Sequence, residues 1–155
     1  MSAAKLDDHD MAILRLLQED ASRSQREIAD AVALSAPAVQ RRIARLEREG
    51  IIQKTVAVLD PEAMGFPITV VVEAVLADNR LATTTQAKEF FQVAPEVQQC
   101  YCVTGWAGLI VILALPSMSD YEHRTSRLFS DNALIKSYRT AVVLSRVKTG
   151  FALPI

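Results

Sequence analysis

The chain has 155 residues, half of them apolar and 23% charged, with a formal net charge of −1. That composition fits one ordinary domain or two small ones sharing an interface, and it excludes a disordered chain. No apolar run approaches the ~18 residues that span a bilayer, and the acidic opening MSAAKLDDHDM is unlike a secretory signal, so the expectation is a soluble, cytoplasmic protein with no membrane partner.

Residues 1–50 carry eight Lys and Arg against nine Asp and Glu. Any contact with nucleic acid must therefore come from local placement of charge. This part reads as three short helices. The first spans Asp7 to Glu19, with Ile13, Leu14 and Leu17 on one side and Asp7, Asp8 and Asp10 at the end where the helix dipole favours negative charge. The second opens on Ser24-Gln25-Arg26-Glu27, a capping box, and continues with Ile28, Ala29 and Val32 inward. After a break at Ala33-Leu34, Ser35 can cap a third helix that tolerates Pro37 in its first turn and stops at Gly50.

Along the third helix, Val39, Ile43 and Leu46 share the inner side. At about 100° per residue, Arg41, Arg45 and Arg48 fall opposite, with Gln40 and Arg42 on the flanks. A merely solvated face usually alternates the signs of its charges. Here the outer face is rich in arginine, the side chain suited to forked contacts with guanine edges and phosphates. Two capped helices with a short break between them have the helix-turn-helix arrangement. Ile51–Asp60 (IIQKTVAVLD) is β-prone and is expected to form a wing or linker strand, with Lys54 placed to meet phosphate. Pro61 and Gly65-Phe66-Pro67 then mark a turn.

The second half alternates strand and helix signals. Residues 68–76 read as a strand and 83–94 as a helix with Ala87, Phe90, Phe91 and Ala94 inward. Residues 97–104 and 108–115 read as strands joined through Gly105-Trp106-Ala107. Ser119 to Glu122 looks like a capping box opening a helix with Tyr121, Leu128 and Phe129 inward. A last strand is expected over 138–148. The order β-α-β-β-α-β is that of the ferredoxin-like fold. The fold class is thus α+β: a helix-turn-helix domain over 1–52, a linker strand over 53–66, and a ferredoxin-like domain over 67–155.

The strands at 68–76 and 108–115 are apolar on both faces, through Val70 and Val72 against Val71 and Val75, and Leu109 and Val111 against Ile110 and Ile112. A sheet with helices on one face ordinarily shows water a polar second face. With no third layer in the chain, a second copy is the expected cover.

Chemistry-bearing residues are few. Cys100 and Cys102 are too closely spaced for a zinc knuckle, leaving apolar filling or, as the lesser alternative, a redox or metal role. His9 and His123 are the only histidines, and neither joins a nucleophile or metal constellation. No catalytic residue, metal or cofactor is expected.

The stretch LDDHDMAILRLLQED, followed by SRSQREIADAVALSAPAVQRRIARLEREGIIQKTVAVLDPEAMGF, resembles the Lrp/AsnC family of bacterial and archaeal regulators. VQQCYCVTGWAGLIVILALPSMSDYE resembles that family's strand, T-G turn, strand and helix start. The resemblance implies a transcriptional regulator of amino-acid or nitrogen metabolism that binds double-stranded DNA, dimerises through its C-terminal sheets and often assembles into octamers. It also implies a small effector, usually an amino acid, held between subunits near a G-x-x-D turn. On this reading Gln40, Arg41, Arg42 and Arg45 meet bases and phosphates. Ser35, Ala36, Pro37 and Ala38 form the close-approach turn, and Arg48 and Lys54 meet backbone. Cys102, Thr104, Gly105, Trp106, Ala107, Gly108 and Val142 would line the effector site.

The chain departs from the pattern at two places. Gly108 stands where the family has aspartate, which puts ordinary amino-acid sensing in doubt, and Trp106 is either a packing residue or part of a remodelled, less polar pocket. Ala33 replaces a common glycine, harmlessly if that position needs no positive φ. A haem-biosynthetic decarboxylase family shares the two-part architecture, so an enzyme, or a non-DNA assembly or sensor protein, is carried as the alternative.

Overall fold

The computed structural model describes residues 5–155. Its chain forms two compact units, Met1–Val58 with Lys148–Ile155, and Leu59–Val147. The last eight residues thus group with the first unit, where Leu153 exchanges two hydrogen bonds with the Gln18 side chain: its N–H donates to Oε1 at 2.6 Å, and its carbonyl accepts from Nε2 at 3.1 Å.

The first unit contains α1 (Asp8–Glu19), α2 (Gln25–Ala31) and α3 (Ala36–Arg48). Asp7 and Asp10 cap α1 reciprocally, and Ser24 and Glu27 do the same for α2, so orphan amides at both helix starts are satisfied. Ile13, Ile28, Ala29, Val32 and Val39 form one buried cluster, with Leu17, Leu34 and Ile43 packed around it. The strand expected at 51–60 does not form, so no wing is present among the described residues. Val56, Val58 and Leu59 are exposed there, and among the described residues the β-branched run has no neighbouring strand to pair with.

The second unit is a four-stranded antiparallel sheet in the order β2-β3-β1-β4, the ferredoxin-like arrangement. Its strands are β1 (Ile68–Leu76), β2 (Val97–Cys102), β3 (Leu109–Leu115) and β4 (Ile135–Val142). Helix α4 (Leu81–Val93) crosses between β1 and β2, and α5 (Met118–Thr125) runs into a single π turn, Ser126–Ser130, before β4. Val70, Val72, Ala74, Leu109, Val111, Leu113 and Leu115 point to the helix side and are buried with Ala87, Phe91, Leu128 and Phe129. Phe91 stacks on Phe129 at 5.4 Å. Glu96 is buried in the turn before β2, where it accepts hydrogen bonds from Arg124 and Arg127. Their guanidiniums meet the need that a buried carboxylate has for compensating charge.

Two sequence expectations shift. The α5 cap is Ser117, not Ser119: its Oγ accepts from the Asp120 N–H at 3.1 Å and donates to the Asp120 carboxylate at 2.5 Å. The last strand begins three residues early, at Ile135, and ends at Val142. Its span follows the ladder available on β1, with a register shift at Val75/Leu76. No described helix is long and apolar enough to cross a membrane.

Candidate nucleic-acid interface

Helix α3 is held by its two ends and its inner side. Ser35 Oγ accepts from the Ala38 N–H at 3.4 Å, and Pro37 sits in the first turn, where no N–H is needed. At the far end Gly50 adopts φ 72°, and the Ile51 N–H reaches back to the Leu46 carbonyl. Val39 and Leu46 are fully buried and Ile43 partly so. Before the helix, the Leu34 N–H closes on the Ala29 carbonyl at 3.0 Å, which requires a left-handed residue at Ala33, and its φ is 54°. The condition under which alanine would be harmless there is therefore not met. Alanine carries the cost of a conformation that glycine adopts freely.

This anchoring turns Pro37, Gln40, Arg41, Ala44, Glu47 and Arg48 to the outside as one exposed stripe, with Ser35 at its leading end. Ala36 and Ala38 are half-buried beside it. Arg41 and Arg48 make no hydrogen bond or ion pair among the described residues, so their guanidiniums are free to meet an anion.

Arg45, expected on the outer face, and Arg42, expected on its flank, are instead both engaged within the unit. Arg42 Nη1 donates to both Asp7 oxygens, at 2.9 and 2.7 Å, and to Asp10 Oδ1 at 2.7 Å. Arg45 Nη2 donates to Asp10 Oδ2 at 2.5 Å. The Asp10 side chain is completely buried, and such a carboxylate must recruit cations. Burial would raise its pKa, but the Asp7 N–H and the two guanidiniums outweigh this and hold it at about 2. Asp7 is lowered too, first by the Asp10 N–H and then by Arg42. The two arginines tie α3 to the start of α1 and fix the angle at which the exposed stripe is presented. Lys54 is exposed in the irregular segment after the helix.

In the second unit the β2–β3 turn forms a half-open recess of about 240 Å³. It brings together six of the seven expected effector residues: Cys102, Thr104, Gly105, Trp106, Ala107 and Gly108. Val142 is not among them. It pairs with Val70, while the turn lies by the other end of β1, where the Gly108 N–H bonds the Ala74 carbonyl. Val75, Leu76, Asn79, Thr84 and Val103 complete the lining. The Arg139 guanidinium stacks on the Trp106 ring at 4.6 Å from its centroid.

Residues 6–53 match the family described as winged helix-turn-helix DNA-binding, and residues 69–153 match the Lrp/AsnC ligand binding domain. An uncharacterized HTH-type transcriptional regulator of Sinorhizobium fredii is 39% identical over 99% of this chain and 90% of its own length. The chain belongs to the Lrp/AsnC family of DNA-binding transcriptional regulators. The glutamate uptake regulatory protein of Zymomonas mobilis is 36% identical over 81% of this chain and 77% of its own. The crystal structure of an AsnC family transcriptional regulator from Agrobacterium tumefaciens superposes with a TM-score of 0.89 at 28% identity, covering 96% of this chain and 97% of that one.

Within this Lrp/AsnC chain, sequence reasoning missed the Asp10 anchor and the Arg139–Trp106 stack. The anchor had a readable signal. Asp7 and Asp10 are three residues apart, as are Arg42 and Arg45, so each pair shares a helix face and can meet the other. The stack had none, because it depends on the register that brings β4 beside the turn.

Proposed function

We propose that this protein regulates transcription of amino-acid or nitrogen metabolism genes as a cytoplasmic dimer or larger assembly, reading operator bases with the outer stripe of α3. The observation that carries the reading is the division of labour among the α3 arginines. Arg42 and Arg45 are held on Asp7 and Asp10, leaving Gln40 and Arg41 for base edges and Arg48 and Lys54 for phosphate. Ser35, Ala36, Pro37 and Ala38 give the helix start a small profile that admits close approach to the groove.

The sheet supports self-association. Val71, Val75, Ile110, Ile112 and Ala114 lie on the face opposite the buried helices and are only partly covered. A two-fold partner placing the same face against it would bury this apolar surface and pair two recognition helices. The turn recess supplies the small-molecule site, and the Zymomonas mobilis relative's regulation of glutamate uptake supports an amino-acid or nitrogen theme.

The test is selection of bound fragments from sheared genomic DNA. The expected product is a pseudo-palindromic site whose half-sites lie about one helical turn, or a multiple of it, apart. Enrichment of no common sequence would contradict the reading.

A further inference from the structure

The side chains lining the turn recess are apolar or neutral: Val75, Leu76, Val103, Trp106 and Ala107 beside the hydroxyls of Thr84 and Thr104, the Asn79 amide and the Cys102 thiol. None is a carboxylate. The nearest acid in sequence, Asp78, is already held by Arg80 and by the Thr83 hydroxyl at 2.6 Å, which keep it well below the usual carboxylate range. Glu73, directly across the ladder from Arg139, forms no ion pair with it.

Positive side chains also stand beside the recess. Arg139 covers the Trp106 ring and has that ring as its partner, so a second cation cannot use this π-surface without meeting the guanidinium. Lys88 lines the adjoining hollow, which shares Cys102 with the recess. The turn also presents unused donors. Among the described residues the N–H groups of Thr104, Gly105, Trp106 and Ala107 donate to no backbone acceptor, whereas the Val103 and Gly108 N–H groups on either side are both bonded. Gly108 adds a steric point. A Cβ there would lie 3.0 Å from Leu76 Cγ, so Leu76 occupies the space a longer side chain would need.

An ammonium group entering such a site would lose water and gain no compensating charge from the recess lining. A carboxylate would gain charge-assisted donors. We propose that the recess takes a small branched carboxylic acid with a neutral oxygen at the α-position, an α-keto acid, in preference to the α-amino acid of the same skeleton. The carboxylate meets the turn amides on the Arg139 side. The α-oxygen meets the Thr104 hydroxyl or the Asn79 amide, since the Thr84 hydroxyl already donates to the Arg80 carbonyl, and the branched chain lies on Trp106, Val75 and Leu76. At about 240 Å³ the recess suits a short branched skeleton rather than a drug-sized ligand. The inference rests on the reading of this turn as the effector site.

Trp106 is the only tryptophan in the chain, so its fluorescence reports on the recess directly. The full-length protein is titrated with α-ketoisocaproate against leucine and with α-ketoisovalerate against valine, pairs that differ only at the α-position. Calorimetry provides an independent second readout. The expected result is saturable binding of the keto acids and at least roughly tenfold weaker binding of the amino acids, a difference of about 1.4 kcal/mol. Arg139→Gln is expected to weaken keto-acid binding by a similar factor. The double variant Leu76→Ala/Gly108→Asp, which makes room for a carboxylate, is expected to shift preference toward leucine.

Amino acids binding as tightly as keto acids, no binding by either class, or an Arg139→Gln affinity equal to wild type would each overturn the proposal. DNA binding by the same preparation separates the cases. Specific DNA binding without a ligand response removes only the effector assignment, and loss of both removes the regulator reading itself.

Discussion

Two neighbouring arginines on α3, Arg41 and Arg42, differ in everything but side-chain type. Arg41 is exposed and unpaired among the described residues, whereas Arg42 joins Arg45 in compensating the buried Asp10. Arg42→Gln should therefore lower stability by about 1–3 kcal/mol, because Asp10 keeps a single guanidinium. Arg41→Ala should stay within about 0.5 kcal/mol of wild type, as exposed substitutions do. Urea unfolding of the two variants checks the contrast, and equal losses would contradict it. The same anchor sets an acid limit. Asp10 has its carboxyl lowered from 3.8 to about 2, so the folded state binds its proton less readily than the unfolded chain. Its stabilising contribution is complete above pH 3.8 and is lost as pH falls through about 2. Acid unfolding of Asp10→Asn should lose that part of its pH dependence in this window, measured by circular dichroism at fixed urea.

At the scale of elements, helices and strands with strong periodicity and local caps could be read in advance, because their determinants lie within a few residues. Ser24 with Glu27, Ser35 and Gly50 are of this kind. The misses share a different cause. IIQKTVAVLD has the composition of a strand, yet a strand needs a partner, and none lies beside it among the described residues. Ser119-Asp120-Tyr121-Glu122 matches a capping box by spacing, but Ser117 two residues earlier takes the role. At Ala33 the chain's turn geometry overrides its residue type, giving φ 54° without a glycine. Ala33→Gly should therefore stabilise the first unit by about 0.5–1 kcal/mol, the relief of left-handed strain less glycine's larger unfolded-state entropy. A rise in the urea midpoint is expected, and a fall would show that alanine is unstrained there. The exposure of Gln40, Arg41 and Arg48 and the gathering of the turn residues around one recess were legible. The inward turn of Arg42 and Arg45 was not, because a helical wheel gives direction but not what a long side chain reaches for.

At the scale of the whole molecule, the partly covered apolar face of the sheet calls for a second copy. Ile112 lies on the partly covered sheet face, cross-strand from Val71, so a charge there would be buried in a two-fold sheet-to-sheet contact. Ile112→Asp is expected to sediment as a monomer where wild type sediments as a dimer or larger. It should also lose cooperative binding to paired half-sites while each domain stays folded. Equal sedimentation of the two proteins would place the interface elsewhere. The central claim, that the exposed arginine stripe of α3 reads DNA sequence, is tested most directly by one binding experiment. Wild type and Arg41→Ala are titrated by fluorescence anisotropy against a selected operator and against scrambled DNA of equal length, over a range of salt. Wild type is expected to prefer the operator with an affinity that falls steeply with salt, and Arg41→Ala to lose about 1–3 kcal/mol on the operator and much less on the scrambled duplex. Affinity for the operator unchanged by Arg41→Ala, or no preference of wild type for it, would contradict the claim.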